Sequence, residues 1–239
     1  MTDILDPPTM YSLLATLTIL LTAYTTSKSL LPASTTPTLR FLFIWHLADA
    51  LCHFILEGSF LYHCFFSYIV LGPNSNADSA LLKGLYPTPH NFLGWEHSRI
   101  YGPQSGGPSN PFAQLWMVYA RADKRWAGVD LGVVSLELLT VFFDGPLALY
   151  VCYLIGRGSP KMYFWMIVLA TAELYGGFMT FCPEWLTGNK NLDGSNFMYM
   201  WIYLVFFNCL WVVIPLYVLG HSYCQVLKAF AAQMAKKQM

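Results

Sequence analysis

Seven ionisable side chains stand where the surrounding sequence is apolar: His46, Asp49, His53 and Glu57 in one run, Glu137 and Asp144 in a second, and Glu173 in a third. None of the thirteen Lys and Arg residues lies inside these runs. An ionisable group in an apolar phase is costly unless it is paired, hydrated or neutralised, so it marks a functional position by default. Carboxyls buried without a cation are expected to hold their protons more tightly than in water. A bank of protonated carboxylic acids in an apolar cavity is a Brønsted acid. At ~100° per residue, His46, Asp49, His53 and Glu57 fall within about 80° of one another on a helix. Asp130, Glu137 and Asp144 line up likewise, with Thr140 one turn beyond Glu137. Glu173 is followed by Tyr175 and by Gly176-Gly177, a pair that lets something approach the backbone closely. In the last group, Tyr199, Tyr203, Asn208 and Trp211, the final two share a face, and Trp211 is placed to offer its ring to a positive charge. Hydrogen bonding from helix to helix is the alternative role. It suits Thr140, Tyr203 and Asn208 as well as chemistry does, but suits Glu57 and Glu137, acids without a base, poorly.

The elements that must carry these residues follow from composition. Of 239 residues, 56% are hydrophobic and 17% aromatic, while 11% are charged, against the roughly 25% charged of a soluble globular protein. So many apolar side chains exceed what a core of this size can hide, and the remaining solvent is lipid. Thirteen basic residues balance thirteen acidic ones, so no positive excess exists to neutralise a phosphate backbone, and nucleic acid is excluded as a partner. Cys52, Cys64, Cys152, Cys182, Cys209 and Cys224 are scattered, without the spacing of a zinc site. They read as small hydrophobes rather than disulfides or metal ligands. No Gly-rich phosphate loop, metal-ligand cluster or haem signature occurs, so no cofactor is expected.

A spanning helix needs about 20 apolar residues, and five candidates are present, at about 10–27, 40–71, 128–156, 160–182 and 196–222. The expected fold is an all-α integral membrane protein, a single domain over 1–239. The first candidate reads as a retained helix, because MTDILDPPTM has two acids and no base where a signal peptide is positive. The second is longer than a bilayer requires, so it tilts or continues as an interfacial helix through FLYHCFFSYIV. Residues 72–127, punctuated by Gly, Pro, Asn and Ser, read as a long loop. Trp95, His97 and Tyr101 in it are candidates for resting on the membrane surface, against plain loop filler. Pro215 is expected to kink the last helix. Basic residues at Lys28, Arg40, Arg157, Lys161, Lys228, Lys236 and Lys237 place the N-terminus on the lumenal or external side and the tail, 223–239, in the cytosol. The terminal Lys236-Lys237-Gln238-Met239 matches a dilysine signal for retrieval to the endoplasmic reticulum.

HFILEGSF (53–60), LWMVYARADKRW (115–126), SLELLTVFFDGP (135–146), ELYG (173–176) and YMWIYLVFFNCLWVVIP (199–215) resemble, in order and spacing, the blocks of the emopamil-binding protein (EXPERA) family. The similarity covers most of residues 40–222. The resemblance implies a five-helix membrane bundle around a lipid-accessible cavity. It implies sterol Δ8-Δ7 isomerisation through a carbocation shielded by aromatics, or, as in some members, cyclisation of a prenyl chain begun by protonation of an epoxide or alkene. Carried over by position, His53, Glu57 and Glu137 look like the proton-transfer set, Thr140 and Asn208 like their hydrogen-bond supports, and Trp211 like the cation-stabilising ring. The chain departs from the sterol isomerase pattern in carrying Asp49, Asp144 and Glu173 and in the greater length of its second loop. Extra carboxyls suit epoxide opening, so a cyclase of a prenylated aromatic stands slightly ahead of a sterol isomerase. A non-enzymatic sterol- or drug-binding protein and a transporter remain behind both. The expected chemistry rests on His53, Glu57, Glu137, Asp144 and Glu173. Asp49, Thr140, Tyr175, Tyr203, Asn208 and Trp211 are expected to contact a hydrophobic isoprenoid or sterol substrate, in a protein of the endoplasmic reticulum membrane for which a homodimer is possible.

Overall fold

The computed structural model describes residues 6–71, 84–94 and 99–237. Trp95, His97, Gln238 and Met239 lie outside them. The chain runs through α1 (Pro7–Leu30), α2 (Pro37–Phe66), β1 (Tyr68–Val70), β2 (Arg99–Tyr101), α3 (Pro111–Tyr119), α4 (Leu131–Gly156), α5 (Lys161–Leu186) and α6 (Met198–Lys237). Caps fix several starts: Thr36 accepts from the Leu39 N–H, Asn110 from Phe112 and Ala113, and Asp130 from Val133. Pro37 and Pro111 occupy first turns, where a missing N–H costs nothing.

Among the described residues, four helices, α2, α4, α5 and α6, are long and apolar enough to cross a membrane. The sequence predicted five spans. The first candidate does form a helix, the 24-residue α1, but nine Ser and Thr residues between 7 and 30 dilute its apolar character. Several of their hydroxyls are satisfied within the helix, as Thr18 and Thr22 donate to the carbonyls of Leu14 and Thr18.

The second candidate ends earlier than expected. Helix α2 stops at Phe66, and Tyr68–Val70 pairs antiparallel with Arg99–Tyr101, Tyr68 opposite Tyr101. The β-rich text YIV takes a sheet partner here rather than extending an interfacial helix. Tyr101 is 2% exposed and packs among Tyr68, Phe92 and the end of α2, so it does not rest on a membrane surface. Gly102 explains the tight turn that follows: its φ is 114°, and a Cβ there would stand 2.6 Å from the Gly128 Cα.

Residues 72–127 also contain more structure than their punctuation suggests. Helix α3, nine residues long, is too short for a 3.6-residue period to stand out. Its Trp116 stacks on Trp126 at 4.8 Å, with interplanar angle 8°, and both tilt against Phe60 of α2. The Trp116 Nε1–H donates to Ser59 at 2.9 Å.

A buried ion cluster ties this loop to the end of α5. Arg125 is 3% exposed and grips Asp123 with two hydrogen bonds, Nη2 to Oδ2 at 2.6 Å and Nε to Oδ1 at 2.9 Å. It also donates to the Thr180 carbonyl at 2.7 Å, and its Nε lies 3.7 Å from Glu184 Oε1. Asn191 holds Glu184 through its side chain and its backbone N–H. Burial pushes the Asp123 carboxyl above its ordinary value even with Arg125 bonded to it.

Three of the membrane-length helices are not uniformly α-helical. Cys52–Glu57 in α2, Thr140–Asp144 in α4 and Met198–Phe207 in α6 are wound as π-helix. Such turns are frequent at functional sites. Two apolar clusters flank the middle of the molecule. One gathers Leu42, Phe43, Val151, Met166 and Val218, and the other Phe60, Trp116, Trp126, Val129 and Val133.

Candidate active site

A pocket of about 850 Å³ lies between α2, α4, α5 and α6, closed on one side by α3 and by Ser12, Leu13 and Thr16 of α1. Its polar wall is built by the π-helical turns of α2 and α4. His53 and Glu57 come from the first, Thr140 and Asp144 from the second, and Glu137 from the turn before it. Gly145 lets the two helices meet, since a Cβ there would lie 3.1 Å from Phe54 Cζ and 3.3 Å from His53 Cβ. Helix α5 adds Glu173, Gly176 and Gly177, and α6 adds Tyr203, Asn208 and Trp211. The side chains lining the pocket include no Lys or Arg among the described residues.

His53 organises the acids. Its Nδ1 is 2.6 Å from Glu57 Oε2 and its Nε2 is 3.1 Å from Asp49 Oδ1, so carboxylates four residues to either side reach both ring nitrogens. The Thr140 hydroxyl donates to Glu57 Oε2 at 2.5 Å and lies 3.4 Å from Glu137 Oε2, which places it between the two glutamates. At the other end of this wall Asp144 and Glu173 are buried, and none of their carboxyl oxygens has a hydrogen-bond partner. The site can therefore give, hold and accept protons at several carboxyls and an imidazole facing one apolar space.

The aromatic lining comes from opposite elements. Trp211 donates its Nε1–H to Asp49 Oδ1 at 2.8 Å and tilts on Trp45 at 5.5 Å, which fixes its ring at the pocket edge. Asn208 donates to the Tyr119 hydroxyl at 3.0 Å and to the carbonyls of Tyr203 and Leu204, whose ordinary α-helical bonds the π turn has displaced. Burial pushes the Tyr119 phenol up, so its hydroxyl stays neutral.

Residues 111–222 match the EBP model of the EXPERA (EXPanded EBP) superfamily. That segment is similar to an EXPERA domain. The chain is similar to a 3-beta-hydroxysteroid-Delta(8),Delta(7)-isomerase of Cavia porcellus, 33% identical over 43% of this chain and 45% of the relative. It is also similar to a probable 3-beta-hydroxysteroid-Delta(8),Delta(7)-isomerase of Oryza sativa subsp. japonica, 28% identical over 59% of this chain and 64% of the relative. A protoglabretal synthase of Ailanthus altissima is 27% identical over 58% and 61% respectively. The chain thus spans about half to two thirds of the length of these curated relatives. The matched segment supplies Glu137, Thr140, Asp144, Glu173, Tyr203, Asn208 and Trp211, whereas Asp49, His53 and Glu57 come from α2, ahead of it.

Most of the expected site residues converge on the pocket, with four corrections. Tyr175 is 55% exposed and does not line the pocket, because two residues beyond the inward Glu173 a helix has turned by about 200°. Asp49 is buried behind His53 and Trp211, whose side chains it reaches, and does not line the pocket. Asp130 leaves the acid row, since it caps α4 and bonds the Tyr86 hydroxyl. Asn208 supports Tyr119 and the backbone rather than an acid. The residues missed were Trp116, Tyr119 and Trp126, which line the pocket from α3 and the turn beyond it. Aromatic density in LWMVYARADKRW was the available signal.

Proposed function

We propose that this chain is a membrane-embedded, cofactor-free enzyme that isomerises or cyclises an isoprenoid lipid through acid protonation and a carbocation. The leading reading is a terpene cyclase opening an epoxide or alkene on the prenyl chain of an aromatic core. One observation carries it: a single apolar pocket is faced by Glu57, Glu137, Asp144, Glu173 and His53, with no Lys or Arg among its described lining residues. Glu137 acts as the principal acid, His53 with Glu57 relays or accepts the final proton, and Asp144 and Glu173 adapt the site to the oxygen that receives the first proton. Trp116, Tyr119, Trp126, Tyr203 and Trp211 offer π faces and exclude water from a cationic intermediate. A pocket of about 850 Å³ is within the range that encloses a drug-sized ligand.

The second reading is a sterol Δ8-Δ7 isomerase, favoured by the likeness to the isomerases named above. Microsomes containing the chain, given a Δ8 sterol in one sample and an epoxidised farnesyl-aromatic compound in another, separate the readings by product mass and NMR. A cyclised isomer of the epoxide is the expected result, and a Δ7 sterol establishes the second reading instead. Retention of one compound without turnover of either makes the protein a binder and overturns both. Glu137→Gln is expected to lower turnover ~10²–10⁴-fold in a folded preparation; unchanged turnover removes Glu137 from the chemistry. The site is proposed to lie in the endoplasmic reticulum membrane, with α1 as a fifth span and the C-terminus cytosolic.

A further inference from the structure

Gly176 and Gly177 stand in the middle of α5 and line the pocket. On a helix they fall about 60° and 40° to either side of Glu173, on the inward face from which Tyr175 points away. Proline aside, glycine weakens a helix interior more than any other residue, and in a spanning helix it usually stands where a neighbouring helix comes close. Gly145 is such a place, with Phe54 Cζ 3.1 Å from where its Cβ would be. Nothing comes close to the α5 pair: among the described residues, a Cβ at either position would meet no atom of another element within 4 Å. The room is therefore kept for something that is not part of the chain. Glu173, one turn before the pair, is 5% exposed and lines the same pocket, and neither of its carboxyl oxygens has a hydrogen-bond partner. On the turn beyond, Thr180 donates its hydroxyl to the Gly176 carbonyl at 2.9 Å, so that hydroxyl is taken up within the helix. What fits against the two glycines is hydrocarbon, and it is broad.

Resting on the proposed function, we infer that Gly176 and Gly177 are specificity-determining residues, kept bare so that the ring-forming part of an isoprenoid substrate lies against the α5 backbone, one turn from Glu173. An extended chain passes a narrow channel, whereas a chain doubling back on itself to close a ring needs a broader one. The strip seats that fold of the prenyl chain. In the reaction a carboxyl gives its proton to the epoxide oxygen and keeps the O–H electron pair. The C–O bond breaks with its pair on the oxygen, now a hydroxyl, and the alkene π pair forms the new C–C bond. The resulting cation loses a proton to a carboxylate or imidazole, and the C–H pair becomes the double bond. The product is an isomer of the substrate, and no oxidant or reductant enters. The glycines take no part in these transfers; they decide whether the chain can fold before the cation is lost. With the strip filled, the opened epoxide loses its proton without closing a ring and leaves as an acyclic allylic alcohol of the same mass.

The test compares Gly177→Ala and Gly177→Leu with Gly220→Leu in the purified full chain in micelles. Gly220 also stands inside a long helix with no neighbour within 4 Å, but it is exposed and does not line the pocket. Without substrate, Gly177→Ala is expected to melt ~2–4 °C above the wild type, since alanine is the better helix former and meets nothing. With the epoxidised farnesyl-aromatic compound, kcat/KM is expected to fall ~10-fold in Gly177→Ala and ~10²-fold in Gly177→Leu. Product shifts in the same order from the cyclised isomer to the acyclic alcohol, read by NMR, while Gly220→Leu keeps the wild-type values. Unchanged kcat/KM and products in Gly177→Leu overturn the inference. Equal loss in the alanine and leucine variants also overturns it, because that marks helix flexibility rather than room. So does a lowered transition in Gly177→Ala, which means that the chain itself needs the space. If Gly177→Leu does not fold, Gly177→Ala and Gly176→Ala decide by the same two readouts. A wild type that isomerises the Δ8 sterol instead establishes the second reading and overturns the fold of a prenyl chain as the occupant. A wild type that converts neither compound overturns the proposed function; the strip then stands only if a retained compound raises the wild-type transition and not that of Gly177→Leu, and retention of neither overturns both.

Discussion

His53 shows how much of the site a single helix face can set. Carboxylates at i−4 and i+4 reach its two ring nitrogens, a spacing visible in the sequence as soon as residues 49, 53 and 57 are placed on one helix. Helix spacing could not show the Thr140 bridge, which joins residues 83 positions apart; only the family resemblance offered Thr140 as a support of these acids. Its hydroxyl is what holds Glu57 and Glu137 side by side, so Thr140→Val is expected to lower kcat/KM by ~10–100-fold, the worth of one hydrogen bond to a charged group. Thr140→Ser is expected to restore most of it; equal loss in both variants would point to packing by the methyl group. Tyr175 was misread for the opposite reason. Proximity to Glu173 in sequence is not proximity on a helix, and the side chain points outward at 55% exposure.

Element by element, helices were easier to read than their windings. Each of the four long helices was evident from its apolar run, yet nothing in CHFILE or TVFFD announces a π turn. In α6 the turn is stabilised by its own next residue, since the Asn208 amide takes up the carbonyls of Tyr203 and Leu204. Helix α3 was hidden by its length and by the Pro and Gly text around it. The loop is held by the Asp123–Arg125–Glu184 cluster, in which Glu184 is distant in sequence from the other two and meets them only in the fold. Removing the cation from such a cluster leaves buried acids unpaired. Arg125→Ala is therefore expected to cost ~3–5 kcal/mol of stability, read as an early thermal transition in micelles. Loss of less than about 1 kcal/mol would be the value of a surface pair and would contradict burial as the cause.

At the scale of the molecule, composition alone pointed to lipid as solvent, and four helices among the described residues are long and apolar enough to cross a membrane. The fifth span was read from the length of α1, while its Ser and Thr content set it apart. Lys236 and Lys237 sit in the last turn of α6. Replacing both by Ala is expected to move a fluorescently tagged chain from the endoplasmic reticulum toward later compartments; unchanged distribution would assign retention elsewhere. The three π segments carry a further consequence, for insertions and deletions. A π turn holds more residues than an α turn, so losing one residue inside it lets the helix relax to α while the residues on either side keep nearly the same facing. Deleting Ile55 would bring Glu57 from the fourth to the third position after His53, a spacing that still shares a face, whereas deleting a residue from the α-helical part of α2 would rotate everything on one side by about 100°. One-residue deletions are therefore expected to cost less activity inside Cys52–Glu57 and Thr140–Asp144 than in the α-helical turns beside them. At those positions the chain has a slack in length that its α-helical turns lack.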